Sequence, residues 1–356
     1  MTPRFFASMG VVGIFVAAVL LAPVFVAAQA PTRAPSAAAA QAPAAAVKAT
    51  APARAWTLAR TPDGQPDLQG FWTNAGYAPL ERPGNVTKEF YTKEEAARYE
   101  KQFVDTEADQ TEPGTIPDVH YDHTQFGLDR SLAGYSPNLR TSLIVDPPNG
   151  KLPPLSAEGK KRAAERAEAR KRMGGPYDAA ENLPLGARCI IMNRAGPMLY
   201  GNYNNNYQII QTPGYVMILV EMLHDVRMIP LDGRPHLSQN VRQWTGDSRG
   251  HYEGDTLVVE TTNFNNKNPF NGSSENMRLV ERFTRMDENT IRYQFTVEDP
   301  ATWTRPFTAE MPMRKTIGPL FEHACAEGNY GLYNILAGAR AEEKRAAEAA
   351  KKGSKQ

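Results

Sequence analysis

Thr290-Ile-Arg-Tyr-Gln-Phe-Thr-Val-Glu298 alternates strictly between two kinds of side chain. Ile291, Tyr293, Phe295 and Val297 fall on one face of an extended chain, and Arg292, Gln294, Thr296 and Glu298 fall on the other. Successive side chains in a strand point to opposite faces, so this pattern marks a sheet with one buried face and one wet face. Working outward, Arg278 to Thr284 is read as its hairpin partner across Arg285-Met-Asp-Glu-Asn289, and Thr256 to Thr262 as a strand opened by the tight turn Glu253-Gly-Asp255. Phe307 to Met313 is a further strand before a Gly-Pro break. Upstream, Tyr207 to Gln211 and Tyr215 to Met222 flank the turn Pro213-Gly214, and Val226 to Leu231 ends in Asp232-Gly233.

Thr141 to Asp146 is a short strand, and Arg60 to Trp72 reads as a turn followed by a strand entering the core. Many short strands, tight turns and no βαβ alternation predict a mainly β fold. The expected form is an antiparallel barrel or curled sheet, lipocalin-like, with peripheral helices and a C-terminal helix. A barrel of that size would enclose one small ligand. No internal repeat supports a propeller.

The helical insertions are expected at about 92–106, where Thr92 and Glu95 have capping-box spacing, and at 157–173, capped by Ser156. The second is rich in Ala, Glu, Lys and Arg and nearly devoid of large apolar residues, which places it on the surface. Asp109 to Leu139 carries only loop signals. The last helix runs from about Tyr330, and residues 339–356 form a charged helical or frayed tail.

At the other end, Arg4 precedes an apolar run from Met9 to Ala28, and small residues then offer cleavage after Ala28 or Ala30. Residues 1–28 therefore read as a secretion signal, with an uncleaved membrane anchor as the alternative. Residues 29–55, almost all Ala, Pro, Thr, Ser and Gln, cannot bury enough apolar surface to order themselves and read as a linker. Residues 56–338 then form a single β-rich domain. The expected address is the periplasm or the medium, with no stable membrane insertion after cleavage. Removing Arg4 takes the formal net charge from +1 to 0, and nothing in that balance attracts nucleic acid.

Cys189 and Cys325 are the two cysteines. In an oxidising compartment they read as one disulfide, the alternative being two free thiols. Neither belongs to a Cys-x-x-Cys pair, which disfavours thioredoxin-like chemistry and a thiolate zinc site.

The densest group of ionisable side chains is Glu221-Met-Leu-His-Asp-Val-Arg227 followed by Asp232-Gly-Arg-Pro-His236. A histidine beside a carboxylate and a guanidinium can act as a general base while the arginine holds an anionic or carbonyl group. Sheet-end ion pairs would gather the same residues without chemistry. A second group, Trp244 to Asp255, contains the turn-forming strings Gly-Asp-Ser-Arg-Gly and Glu-Gly-Asp, so Asp247 and Asp255 are expected to bond their own turns. A barrel rim would nonetheless expose Asp247, Arg249 and His251 to a ligand.

Asn205, Tyr207 and Trp303, with Tyr200 and Tyr203, could stack on and hydrogen-bond a sugar or aromatic ring, although core packing would use the aromatics equally well. The leading expectation is an acid-base lyase, isomerase or hydrolase acting on a sugar-like or aromatic small molecule. His224 would be its base, Arg227 and Asp247 would orient the substrate, and His236 would be a second proton donor. The alternatives are a non-catalytic periplasmic binding protein and a structural envelope protein.

No metal is expected. His120-x-x-His123, with Asp118 and Asp122, and a convergence of His224, His236 and His251 both fall short of a zinc signature. Gly-x-Ser-x-Gly, a phosphate-binding loop and a Rossmann fingerprint are absent, so no cofactor is expected. A small-molecule ligand and a monomeric state complete the expected partners.

Several strings are long enough to be specific: Pro62-Asp-Gly-Gln-Pro-Asp-Leu-Gln-Gly-Phe-Trp72, Tyr203-Asn-Asn-Asn-Tyr207, His224-Asp-Val-Arg-Met-Ile-Pro-Leu-Asp-Gly-Arg-Pro-His236, Gly246-Asp-Ser-Arg-Gly-His-Tyr-Glu-Gly-Asp-Thr-Leu257 and Glu327-Gly-Asn329. Together they resemble a family of secreted bacterial proteins of unknown function. That resemblance implies export and a single β-rich domain, and it assigns no reaction and no catalytic residue.

Overall fold

Thr290–Glu298 forms the ninth of ten strands among the described residues. In chain order the computed structural model contains β1 (Gly70–Thr73), α1 (Lys93–Ala108), β2 (Ile144–Asp146), α2 (Ala157–Arg172), β3 (Asn206–Thr212), β4 (Tyr215–Val220), β5 (Val226–Pro230), β6 (Asp247–Glu253), β7 (Thr256–Thr262), β8 (Arg278–Asp287), β9 (Thr290–Glu298), β10 (Phe307–Lys315) and α3 (Tyr330–Gly353). It describes residues 56–108, 138–192, 196–201 and 203–353. The expected signal segment, the linker and the His120/His123 loop lie outside the described residues.

One antiparallel sheet runs in the order β5-β4-β3-β1-β10-β9-β8-β7-β6, with β2 added beside β10. Its first and last strands come together, so the sheet is nearly closed into a barrel. Among the described residues no ladder joins β5 to β6, and side chains fill that seam instead.

Strand register explains why the inner face is continuous. Tyr293 of β9 sits opposite Met311 of β10 and Phe283 of β8, Phe295 opposite Ala309 and Glu281, and Val297 opposite Phe307 and Leu279. Directly paired residues share a face, so these rows stack into one core in which every one of them is at least 98 % buried. Trp72 and Tyr207, opposite one another on β1 and β3, extend the same core.

Both helix starts use the expected caps. The Thr92 N–H donates to Glu95 Oε2 at 2.8 Å and the Glu95 N–H to Thr92 Oγ1 at 3.2 Å, a reciprocal capping box. Ser156 Oγ accepts the Gly159 N–H at 3.0 Å and donates to the Ala301 carbonyl at 2.9 Å, which ties α2 to the turn before β10. Gly159 is required there because a Cβ would lie 2.4 Å from the Thr302 carbonyl oxygen. Ser156→Ala is expected to lower stability by about 1 kcal/mol, read by urea unfolding, since both the cap and the tie are lost.

Two expectations need correction. Residues 247–253 do not form a turn; they are β6, paired along their length with β7. The polar, glycine-containing string hides the strand because two of its inward positions, Ser248 and Gly250, are small. Gly250 must be small, since a Cβ there would lie 2.7 Å from Ile229 and 2.8 Å from Leu231 across the seam. The strand after Pro213-Gly214 also ends earlier than expected, at Val220 rather than Met222, where Leu223 and His224 adopt left-handed backbone conformations with φ of 57°.

Candidate functional site

Arg227 projects from β5 into the barrel and crosses the seam. Its Nη1 donates to Glu281 Oε1 at 3.0 Å and its Nη2 to Glu281 Oε2 at 2.5 Å. Nη2 also reaches Ser248 Oγ at 3.4 Å and Thr261 Oγ1 at 3.3 Å. The Tyr293 hydroxyl donates to Glu281 Oε1 at 2.7 Å and accepts the Met198 N–H at 2.9 Å. Burial works against the Arg227 charge, but the Glu281 carboxylate outweighs it and holds the guanidinium above its usual range. Burial, reinforced by the Glu281 charge, drives the Tyr293 phenol well above its ordinary value. A buried bidentate pair whose carboxylate also accepts from a tyrosine is an interior lock, its charge neutralised by the arginine.

His224 is elsewhere. It lies exposed on the β4–β5 connection, and no hydrogen bond or ion pair joins its ring to another described residue. His236 and Asp247 do meet, on the outer face of the barrel, with His236 Nδ1 3.0 Å from Asp247 Oδ2. His236 Nε2 is 3.5 Å from Glu260 Oε1, so the imidazole stands between two carboxylates. Asp247 also accepts the Leu237 N–H at 2.9 Å and Arg249 Nη1 at 2.6 Å. Burial pushes its carboxyl up, but those donors together hold it below the usual carboxylate range. Glu260 continues the network to Arg278, which also bonds Glu298. His251 lies further along the same outer face, exposed and 3.1 Å from Glu253. The four expected catalytic groups therefore occupy three places.

The expected ligand contacts also divide. Trp303 is 2 % exposed and packs edge-on against Phe307 at 5.4 Å, as core does. Arg249 is committed to Asp247 and to the Pro235 and Ser248 carbonyls. Asn205 and Tyr207, in contrast, line a cleft of about 400 Å³ where β3 begins and β4 has ended. Tyr200, Tyr203, Met192 and Met222 are among its other walls. Asn205 is held in place by two bonds to the Gly201 backbone, and its neighbour Asn204 has φ of 54°. None of the cleft's described walls is Asp, Glu, Lys, Arg or His.

Sequence reading missed Glu281 and the methionines of the cleft. Glu281 had a usable signal, because it occupies the position between Leu279 and Phe283 on the inward face of β8, where a carboxylate needs a buried partner. The methionines had none, since a thioether in a loop looks like ordinary packing.

The disulfide is present: Cys189 and Cys325 are bonded, with Cα atoms 5.6 Å apart. Among the described residues there is no cluster of three His, Cys, Asp or Glu able to hold a metal ion, and no helix long and apolar enough to cross a membrane. The fold and site thus define a nearly closed, disulfide-bonded antiparallel barrel with a cleft whose described walls carry no ionic side chain. No protein-family model, curated protein or solved structure matches the chain.

Proposed function

We propose that this chain is an exported small-molecule-binding protein whose ligand is a neutral aromatic or sugar-like compound seated in the cleft beside β3. The observation that carries this reading is the cleft's lining: tyrosine rings and methionine thioethers for apolar contact, asparagine amides for orientation, and no described ionic group. Such surfaces bind uncharged rings, because a charged ligand would lose its hydration without gaining a partner. Non-catalytic binding is favoured over acid-base turnover by the separation of His224, Arg227 and His236. The disulfide supports an oxidising, extracytoplasmic address.

The test is a fluorescence titration with N-phenyl-naphthylamine, a neutral aromatic probe. Saturable binding is expected, competed by other uncharged aromatic or sugar-like compounds, and Tyr203→Ala is expected to weaken it about tenfold. A probe that fails to bind the folded protein, or that binds the Tyr203→Ala variant equally well, sinks the assignment.

A further inference from the structure

The segment between β10 and α3 has no regular structure and is largely exposed, with Ile317 93 % and Phe321 76 % accessible. Beyond Thr316, whose N–H donates to the Phe71 carbonyl at 2.9 Å, it is nevertheless pinned at two places beside the cleft. At one, Cys325 is bonded to Cys189, three residues before the cleft wall Met192. Asn329 Nδ2 reinforces this anchor by donating to the Ala187 carbonyl at 3.1 Å and reaching Cys189 Sγ at 3.2 Å. At the other, His323 Nδ1 accepts the Leu223 N–H at 3.2 Å, immediately after the cleft wall Met222. The His323 ring also lies against Tyr203, another cleft wall, with centroids 6.2 Å apart.

Backbone geometry picks out the same places independently. Six non-glycine residues among those described have positive φ, and three of them, Cys189, Leu223 and His224, lie at these two anchors. Asparagine tolerates that region, but Cys, Leu and His adopt it only where surrounding contacts hold them, and such strain collects at ligand clamps.

We propose that the Cys189–Cys325 disulfide is a redox-sensitive clasp on the ligand cleft: while it is formed, His323 holds the Leu223 backbone and the Tyr203 ring in the binding geometry, and reduction loosens both. The affinity part of this proposal rests on the cleft being the binding site. Both cysteines are partly accessible, so a dithiol can reach them. Its thiolate attacks one sulfur and breaks the Sγ–Sγ bond, and its second thiol then closes on the mixed disulfide. The protein gains two electrons and two protons as two thiols, and the dithiol is oxidised to its own disulfide.

Amide hydrogen exchange and N-phenyl-naphthylamine titration of the full chain, oxidised and dithiol-reduced, test this together. Reduction is expected to raise exchange at Leu223 at least tenfold and to weaken the probe about tenfold, while β8 and β9 keep their protection. Cys189→Ser/Cys325→Ser should behave like the reduced protein. His323→Phe, which keeps the disulfide and a ring beside Tyr203 but removes the acceptor, should raise Leu223 exchange alone. Equal probe affinity in both redox states overturns the clasp and leaves the binding reading intact. If the probe binds neither state, the binding reading falls, and unchanged Leu223 exchange on reduction overturns the clasp by itself.

Discussion

Glu281→Gln is expected to remove about 3–5 kcal/mol of unfolding free energy, measured by urea denaturation. The substitution keeps the side chain's size and leaves Arg227, with 9 % of its side chain exposed, facing only neutral groups, the introduced amide and the hydroxyls of Ser248 and Thr261. An arginine cannot escape by losing its proton, so the charge must either stay buried without a counter-ion or drag β5 outward to reach water. The second outcome would open the seam, because β5 is joined to β6 by side chains alone. Replacing the whole set, Arg227→Met with Glu281→Leu and Tyr293→Phe, should restore most of the loss, since apolar groups of similar volume avoid the desolvation of two ions and leave no buried hydroxyl without an acceptor. A loss below about 1 kcal/mol for Glu281→Gln would show that the interior is wet and the lock unimportant.

Phe295→Ala is expected to cost about 3–5 kcal/mol in the same assay. Its ring is fully buried at the centre of β9, 5.8 Å from Tyr293, between the rows formed by Glu281 on β8 and Ala309 on β10. Neither neighbour can fill the void: Ala309 is too short, and Glu281 is held by three hydrogen bonds. The cavity should therefore persist. A cost under about 2 kcal/mol would mean that the barrel collapses around the site.

Legibility in the sequence followed side-chain period and local capping chemistry. β7 and β9 were readable to the residue, because their alternation and flanking turns agree. The caps at Thr92 and Ser156 were readable because capping is settled within four residues. β6 was not, since its central inward position, Gly250, is small for a reason lying at β5, where Ile229 and the following Leu231 take the space. The candidate site was readable only in part. Asn205 and Tyr207 meet at a cleft and His236 meets Asp247, but His224 and Arg227, three residues apart, are separated by a backbone reversal at Leu223 and His224.

By itself, then, the sequence determined that this is an antiparallel β protein with capped surface helices and a cysteine pair available for bridging. Those properties depend on neighbours within a few residues, or on composition. Tertiary structure alone decided that β1 pairs with both β3 and β10, that the sheet nearly closes between β5 and β6, and that Arg227 finds Glu281 54 residues away. It also decided that Cys189 and Cys325, 136 residues apart, meet, and that His323 reaches Leu223 and Tyr203 beside the cleft. Alternation tells a strand which face to bury but not which edge to pair with. That choice is made by the volumes and charges that strands distant in sequence present to one another.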